Sequence, residues 1–187
     1  CYDNTIVILN VGGVMDVSFL EKYNIAALVM LSQAGMEGGN ALADVLSGAV
    51  TPSGKLTDTW GCHYEDYPSS ATFSHNNGNI IEEKYYEGIY VGYRYFDSFE
   101  VEPRYPFGYG MSYTTFDVAT ENAAWKPDAE SKTITVTVKV TNTGSCAGKE
   151  VVQIYAACPF GKLKKERKRL VAFGKTALLQ PEESETL

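Results

Sequence analysis

Few residues in this chain have the type and placement to do chemistry, and carboxylates lead them. Glu37 stands in the glycine-rich run Gln33-Ala34-Gly35-Met36-Glu37-Gly38-Gly39, where a carboxylate on a turn could serve as acid, base or nucleophile. Glu87 and Asp97 lie among aromatics, where burial favours the protonated form, but the sequence pairs neither with a second carboxylate. His63 and His75 have no third ligand in view and read as exposed loop residues. The cysteines Cys1, Cys62, Cys146 and Cys158 show no C-x-x-C spacing, so no zinc site is expected. If Cys146 and Cys158 end the same strand, about nine residues at ~3.3 Å each hold them roughly 30 Å apart. A disulfide spans at most ~7 Å. All four are therefore read as free thiols, which fits a reducing compartment and favours cytoplasm over secretion.

The elements around Glu37 are legible. Thr5 to Val11 is a β-branched run and reads as a buried strand; Asp16 to Tyr23 reads as a short helix with Val17, Leu20 and Tyr23 inward. Ala26 to Leu31 is an aliphatic run of the kind buried on both faces of a parallel sheet. Gly35, Gly38 and Gly39 then allow positive φ, Asn40 is placed as an N-cap, and Ala41, Leu42, Val45 and Leu46 share one side of a helix. Gly48 ends that helix and Pro52 forbids its resumption. Strand, helix, strand, helix indicates a parallel α/β sheet with the glycine loop at its C-terminal edge, where ligand sites gather. A carboxylate just ahead of a helix meets partial positive charge and free N–H donors, which favour its ionised form. Glu37 therefore reads as an acceptor bracing the loop rather than as a general acid.

Leu56 to Trp60 reads as one more short strand. Gly61 to Lys84 loses all periodicity and carries the turn-formers Asn76-Asn77-Gly78-Asn79. The aromatic stretch Tyr85 to Phe99 is read as packing between this sheet and a neighbour, in preference to sugar stacking. From Phe116 the period becomes two: Ile134, Val136, Val138 and Val140 point inward, and Asn142-Thr143-Gly144-Ser145 makes a turn. Strands at 151–156 and 170–175 follow. Gly161 to Arg169, GKLKKERKR, reads as a solvated loop between them rather than a polyanion site. Short strands with polar turns predict an antiparallel sandwich of immunoglobulin or fibronectin type, although only four or five of about seven strands fit.

A net charge of −7 argues against a nucleic-acid binder. No run approaches the ~20 apolar residues of a membrane span, and no signal-peptide pattern opens the sequence.

The run Gln33 to Leu56, QAGMEGGNALADVLSGAVTPSGKL, resembles the second-domain signature of family 3 of the glycoside hydrolases, the β-glucosidase family. YYEGIYVGYRYFD and YPFGYGMSYTTF follow in the order that family shows. The resemblance implies residues 1–115 as the C-terminal part of an α/β sandwich domain, and residues 116–187 as a truncated fibronectin-III-like module. It places the loop from Gly61 near an active-site mouth; the residues alone leave a plain surface excursion equally open. It also implies retaining hydrolysis of a terminal β-linked sugar, on a β-glucoside or oligosaccharide substrate and without cofactor or metal. In the family the nucleophile is an aspartate of a separate (β/α) barrel, and the acid/base is a glutamate upstream of the residues present here. Neither motif is in this sequence. The expectation is a cleft wall edged by Gly35, Glu37, Gly38 and Gly39 that packs against the barrel, with no catalytic residue of its own. The competing expectation is a non-catalytic sugar-binding or scaffolding module.

Overall fold

The computed structural model describes residues 2–75, 78–127, 132–159 and 161–187. Cys1, Asn76 and Asn77 lie outside the described residues. The chain divides into two compact units, each assembled from separate stretches. Cys1–Leu42, Leu56–Tyr109 and Ala156–Arg169 form one; Ala43–Lys55, Gly110–Tyr155 and Leu170–Leu187 form the other.

In the first unit β1 (Ile6–Leu9) and β2 (Ala27–Met30) pair in parallel, with Ile6 opposite Ala27 and Leu9 opposite Met30. Leu9, Val17 and Trp60 are buried beneath this pair. Burial on both faces is not seen: Ile6 and Ile8 are exposed while Leu9 is buried. Alternation along the strand sends them to opposite sides, and among the described residues only one side is covered. The segment from Asp16 forms a single 3₁₀ turn, Ser18–Glu21, in place of the expected helix. Asp16 Oδ1 accepts the Ser18 N–H at 2.7 Å, a local bond that competes with helix growth, and Tyr23 is 66% exposed.

Leu56 to Trp60 is not a strand. The Leu56 N–H donates to the Tyr109 carbonyl at 2.8 Å and the Trp60 N–H to the Tyr105 carbonyl at 2.9 Å, leaving a single antiparallel bridge at Trp60 and Tyr105. The helix α1 (Gly38–Ser47) forms on the expected stretch but begins before Asn40. A second helix, α2 (Tyr93–Phe99), was not anticipated. Its Phe96 is buried and meets Tyr67 edge-on at 5.5 Å.

The basic run is a largely exposed loop, as expected, but its end is anchored. Glu166 is 6% exposed and is bonded to Arg169. The Arg167 N–H donates to Ser98 Oγ at 3.0 Å, and Lys168 Nζ lies 3.1 Å from Asp97 Oδ2. The end of the run is thus strapped onto α2. A hydrogen bond from its own backbone N–H, and then Arg169, hold the Glu166 carboxyl below its ordinary value of 4.5.

In the second unit β3 (Phe116–Pro127) and β4 (Lys132–Asn142) form an antiparallel hairpin, with a register shift between Thr120 and Asn122. β7 (Ser184–Thr186) adds to the far side of β4, and β5 (Val151–Ala156) pairs with β6 (Arg169–Lys175). Val138, Val140, Val152 and Leu179 make the core. The alternation along β4 holds for Val136, Val138 and Val140, but Ile134 is 65% exposed because the strand runs on past that core.

Asn142 is the last residue of β4, not part of a surface turn, and it is fully buried. Its Oδ1 accepts from Thr114 Oγ1 at 2.7 Å and from the Gly144 N–H at 3.1 Å. Its Nδ2 donates to the carbonyls of Cys146 and Leu179 at 2.8 and 2.9 Å. Gly144 must lack a side chain, since a Cβ there would overlap Thr114 Oγ1 and crowd the Thr115 nitrogen.

Two outcomes follow. Asn142→Ala removes four hydrogen bonds from a fully buried position, so denaturant unfolding should show a loss of about 3 kcal/mol. A loss under about 0.5 kcal/mol, the scale of a surface change, would contradict this. The lowered Glu166 carboxyl contributes stability that is present above the unfolded value near 4.5 and lost as pH falls through the lower folded value. Melting temperature should therefore drop on acidification below that value, and less steeply in Glu166→Gln. Identical slopes for the two proteins would count against the strap.

Candidate functional site

The loop that carries Glu37 runs from the end of β2 to the start of α1. Gly35 takes φ +72° and makes the turn. Gly38 and Gly39 do not take positive φ, contrary to expectation, because α1 already includes them. The same early start places Asn40 inside the first helical turn, so it is not the N-cap. Gly38 is required for closeness instead: a Cβ there would lie 2.8 Å from the Ala34 Cβ. The helix ends at Ser47, and Gly48 follows at φ +79°.

Glu37 is exposed, and its Oε2 accepts from Asn40 Nδ2 at 2.6 Å. Its backbone carbonyl accepts the Ala41 N–H at 3.0 Å. Beside it an open hollow of about 520 Å³ is lined by Asn10, Leu31, Gln33, Ala34, Gly35, Gly38 and Gly39. The segments just beyond the strands supply Asn10, Leu31 and Gln33, the turn supplies Gly35 and the first turn of α1 supplies Gly38 and Gly39, so the hollow sits at the C-terminal edge of the parallel pair. Asn10 and Gln33 were not singled out in the sequence. Their signal was position, as the polar residues just beyond two apolar strands.

This lining can offer amides, a carbonyl edge and helix-start N–H groups to a hydroxylated or anionic ligand. It holds no carboxylate among its described residues; Glu37 is not part of the lining, and its Oε2 is engaged by Asn40.

The sequence profile described as the glycosyl hydrolase family 3 C-terminal domain matches residues 1–113. The chain belongs to glycosyl hydrolase family 3. Beta-glucosidase A of Butyrivibrio fibrisolvens is 44% identical over 199 residues, covering 98% of this chain and 24% of that protein. Beta-glucosidase of Ruminococcus albus is 43% identical, covering all of this chain and 19% of that protein. Among solved structures, beta-glucosidase 3B from Thermotoga neapolitana in complex with glucose superposes with a TM-score of 0.89 at 43% identity, over 97% of this chain and 25% of that one. A beta-glucosidase from Paenibacillus barengoltzii gives 0.90 at 45% identity, over 100% and 20%. The chain spans about a quarter or less of the length of these relatives.

The other candidate residues of this family 3 chain make local contacts through side chain or backbone. Asp97 faces Lys168 in the strap, and the Glu87 carbonyl accepts the Tyr90 N–H at 3.0 Å. The His63 N–H donates to Asp66 Oδ2 at 2.8 Å, and His75 Nδ1 lies 3.0 Å from the Asn79 carbonyl oxygen. Tyr67 Oη accepts the Gly61 N–H at 2.7 Å and donates to the Thr59 carbonyl at 3.1 Å, pinning the start of the irregular loop. Cys62, Cys146 and Cys158 are free thiols. Among the described residues no cluster of His, Cys, Asp and Glu could hold a metal, and no helix is long and apolar enough to cross a membrane.

Proposed function

We propose that this chain is one part of a retaining glycoside hydrolase that releases terminal β-linked sugars, and that it walls the cleft without supplying the reacting carboxyls. The observation that carries this reading is the alignment of nearly the whole chain with proteins called beta-glucosidases. The hollow at the strand ends agrees with it, since its described lining has no carboxylate.

Retaining hydrolysis needs a nucleophilic carboxylate and an acid/base carboxyl about 5 Å apart, with a covalent glycosyl-enzyme between the two displacements. Glu37 has no such companion at the hollow. The nucleophile is assigned to an aspartate of a barrel domain outside these residues, and the acid/base to a glutamate on a loop preceding β1. The substrate is a β-glucoside or short oligosaccharide. Proton transfer and carboxylate attack complete the reaction, so no cofactor is called for. Residues 1–115 are read as the C-terminal part of the α/β sandwich domain, supported by the parallel β1–β2 pair and α1. Residues 116–187 are read as a partial fibronectin-III-like sandwich, supported by the β3–β4–β7 and β5–β6 sheets.

The test assays the isolated 187-residue chain and the full-length protein on an aryl β-glucoside. The full-length protein should turn over and the chain alone should not. In the full-length protein Glu37→Gln should keep its rate within about tenfold, whereas loss of a general acid costs about 10²–10⁴-fold. Hydrolysis by the chain alone, or a loss of that size in the variant, overturns this placement. A full-length protein that binds sugars but cleaves none would favour a non-catalytic module.

A further inference from the structure

The strand-end hollow carries two side chains whose chemistry a plain wall does not use. Asn10 and Gln33 each bring a primary amide to it, and neither amide has a hydrogen-bond partner among the described residues. The Gln33 amide is seated by its neighbours: its carbon, nitrogen and oxygen all lie 3.7–3.8 Å from the point where a Cβ on Gly12 would stand, so the group lies broadside to that glycine. Ser32, just before it, holds φ +58°, a left-handed conformation disfavoured for a residue with a Cβ. The backbone is thus turned sharply at the point that delivers this amide.

The rest of the lining narrows the ligand. Leu31 and Ala34 give the hollow apolar surface, and no acidic or basic side chain lines it among the described residues. Its volume of about 520 Å³ falls within the roughly 300–1,000 Å³ of small-molecule sites. Uncharged amides that both donate and accept match hydroxyl groups, which also do both. Such a lining suits a neutral polyhydroxylated ligand and offers an anion no countercharge on a side chain.

We propose that Asn10 and Gln33 bind the leaving-group sugar of an oligosaccharide substrate, the unit next to the one released. The inference rests on the reading above that the chain is part of an enzyme releasing terminal β-linked sugars. The released sugar reacts between two carboxyls about 5 Å apart, and this hollow has no carboxylate in its described lining. The sugar it takes is therefore not the reacting one. An enzyme that removes terminal units has the remainder of its substrate only on the leaving-group side. The two amides then act as specificity determinants, holding a sugar leaving group by its hydroxyls and finding no match on an aromatic one.

The test compares kcat/KM on cellobiose with kcat/KM on nitrophenyl β-glucoside, for the full-length protein and its Asn10→Ala and Gln33→Leu variants. Both substrates deliver the same glucose and differ only in the leaving group. Their ratio therefore reports contacts to that group, and any fraction of misfolded variant cancels from it. Loss of one hydrogen bond to the second sugar should lower the cellobiose-to-aryl ratio about fivefold in each variant. A ratio that holds at the wild-type value in either variant, or rises, overturns the inference and leaves the glucosidase reading in place. An unmutated protein that cleaves neither substrate overturns both.

Discussion

Asn142 has no access to water, and four hydrogen bonds close around its amide. A primary amide buried in an apolar core is costly unless it is satisfied, so three segments must arrive at set places. Thr114 brings the end of the SYTTF run, Gly144 and Cys146 bring the turn after β4, and Leu179 brings the chain before β7. Val140, two residues earlier on the same strand, is also fully buried and seats the core beside this network. A further polar tie in the same unit is Lys55, whose Nζ bonds the Gly110 carbonyl at 3.0 Å and pairs with Glu150 at 2.9 Å. Both partners are mostly shielded from solvent, which makes this pair less sensitive to salt than the exposed ones.

The first unit is held differently. Its apolar centre is small, three buried side chains with partly buried neighbours, and ion pairs join parts of its surface. Arg104 pairs with Glu21 and holds that carboxyl below the ordinary range. The strap from Glu166 to Arg169 fastens α2, and α2 in turn sets the aromatic packing of Tyr67, Tyr90 and Tyr95.

Local pattern and chain-remote contact explain which features could be read from the sequence. α1 was legible because Gly35, Gly48 and Pro52 punctuate it, and β4 because threonine and valine alternate along it. Its outer residue Ile134 failed because alternation tells which side a residue faces, not how far the core extends. α2 was hidden since seven residues with aromatics on several sides show no single apolar stripe. The strap was hidden because its partners, Asp97, Ser98 and Glu100, lie about seventy residues away in sequence. Asn142 looked like a turn residue because Asn-Thr-Gly-Ser is turn chemistry, and burial overrode that reading. At the candidate site the loop was legible, but the hollow needed Asn10 and Gln33, which only the parallel pairing of β1 and β2 brings together.

What this chain contributes, on the proposed reading, is form: a strand-end hollow and braced loops, with the reacting carboxyls supplied from elsewhere in the full-length protein. The most direct test is to trap the glycosyl-enzyme of the full-length protein with a 2-fluoro-substituted activated β-glucoside and map the labelled peptide. The account predicts the sugar on an aspartate outside residues 1–187. A sugar bound to Glu37, Glu87, Asp97 or any other carboxylate within these residues would contradict it.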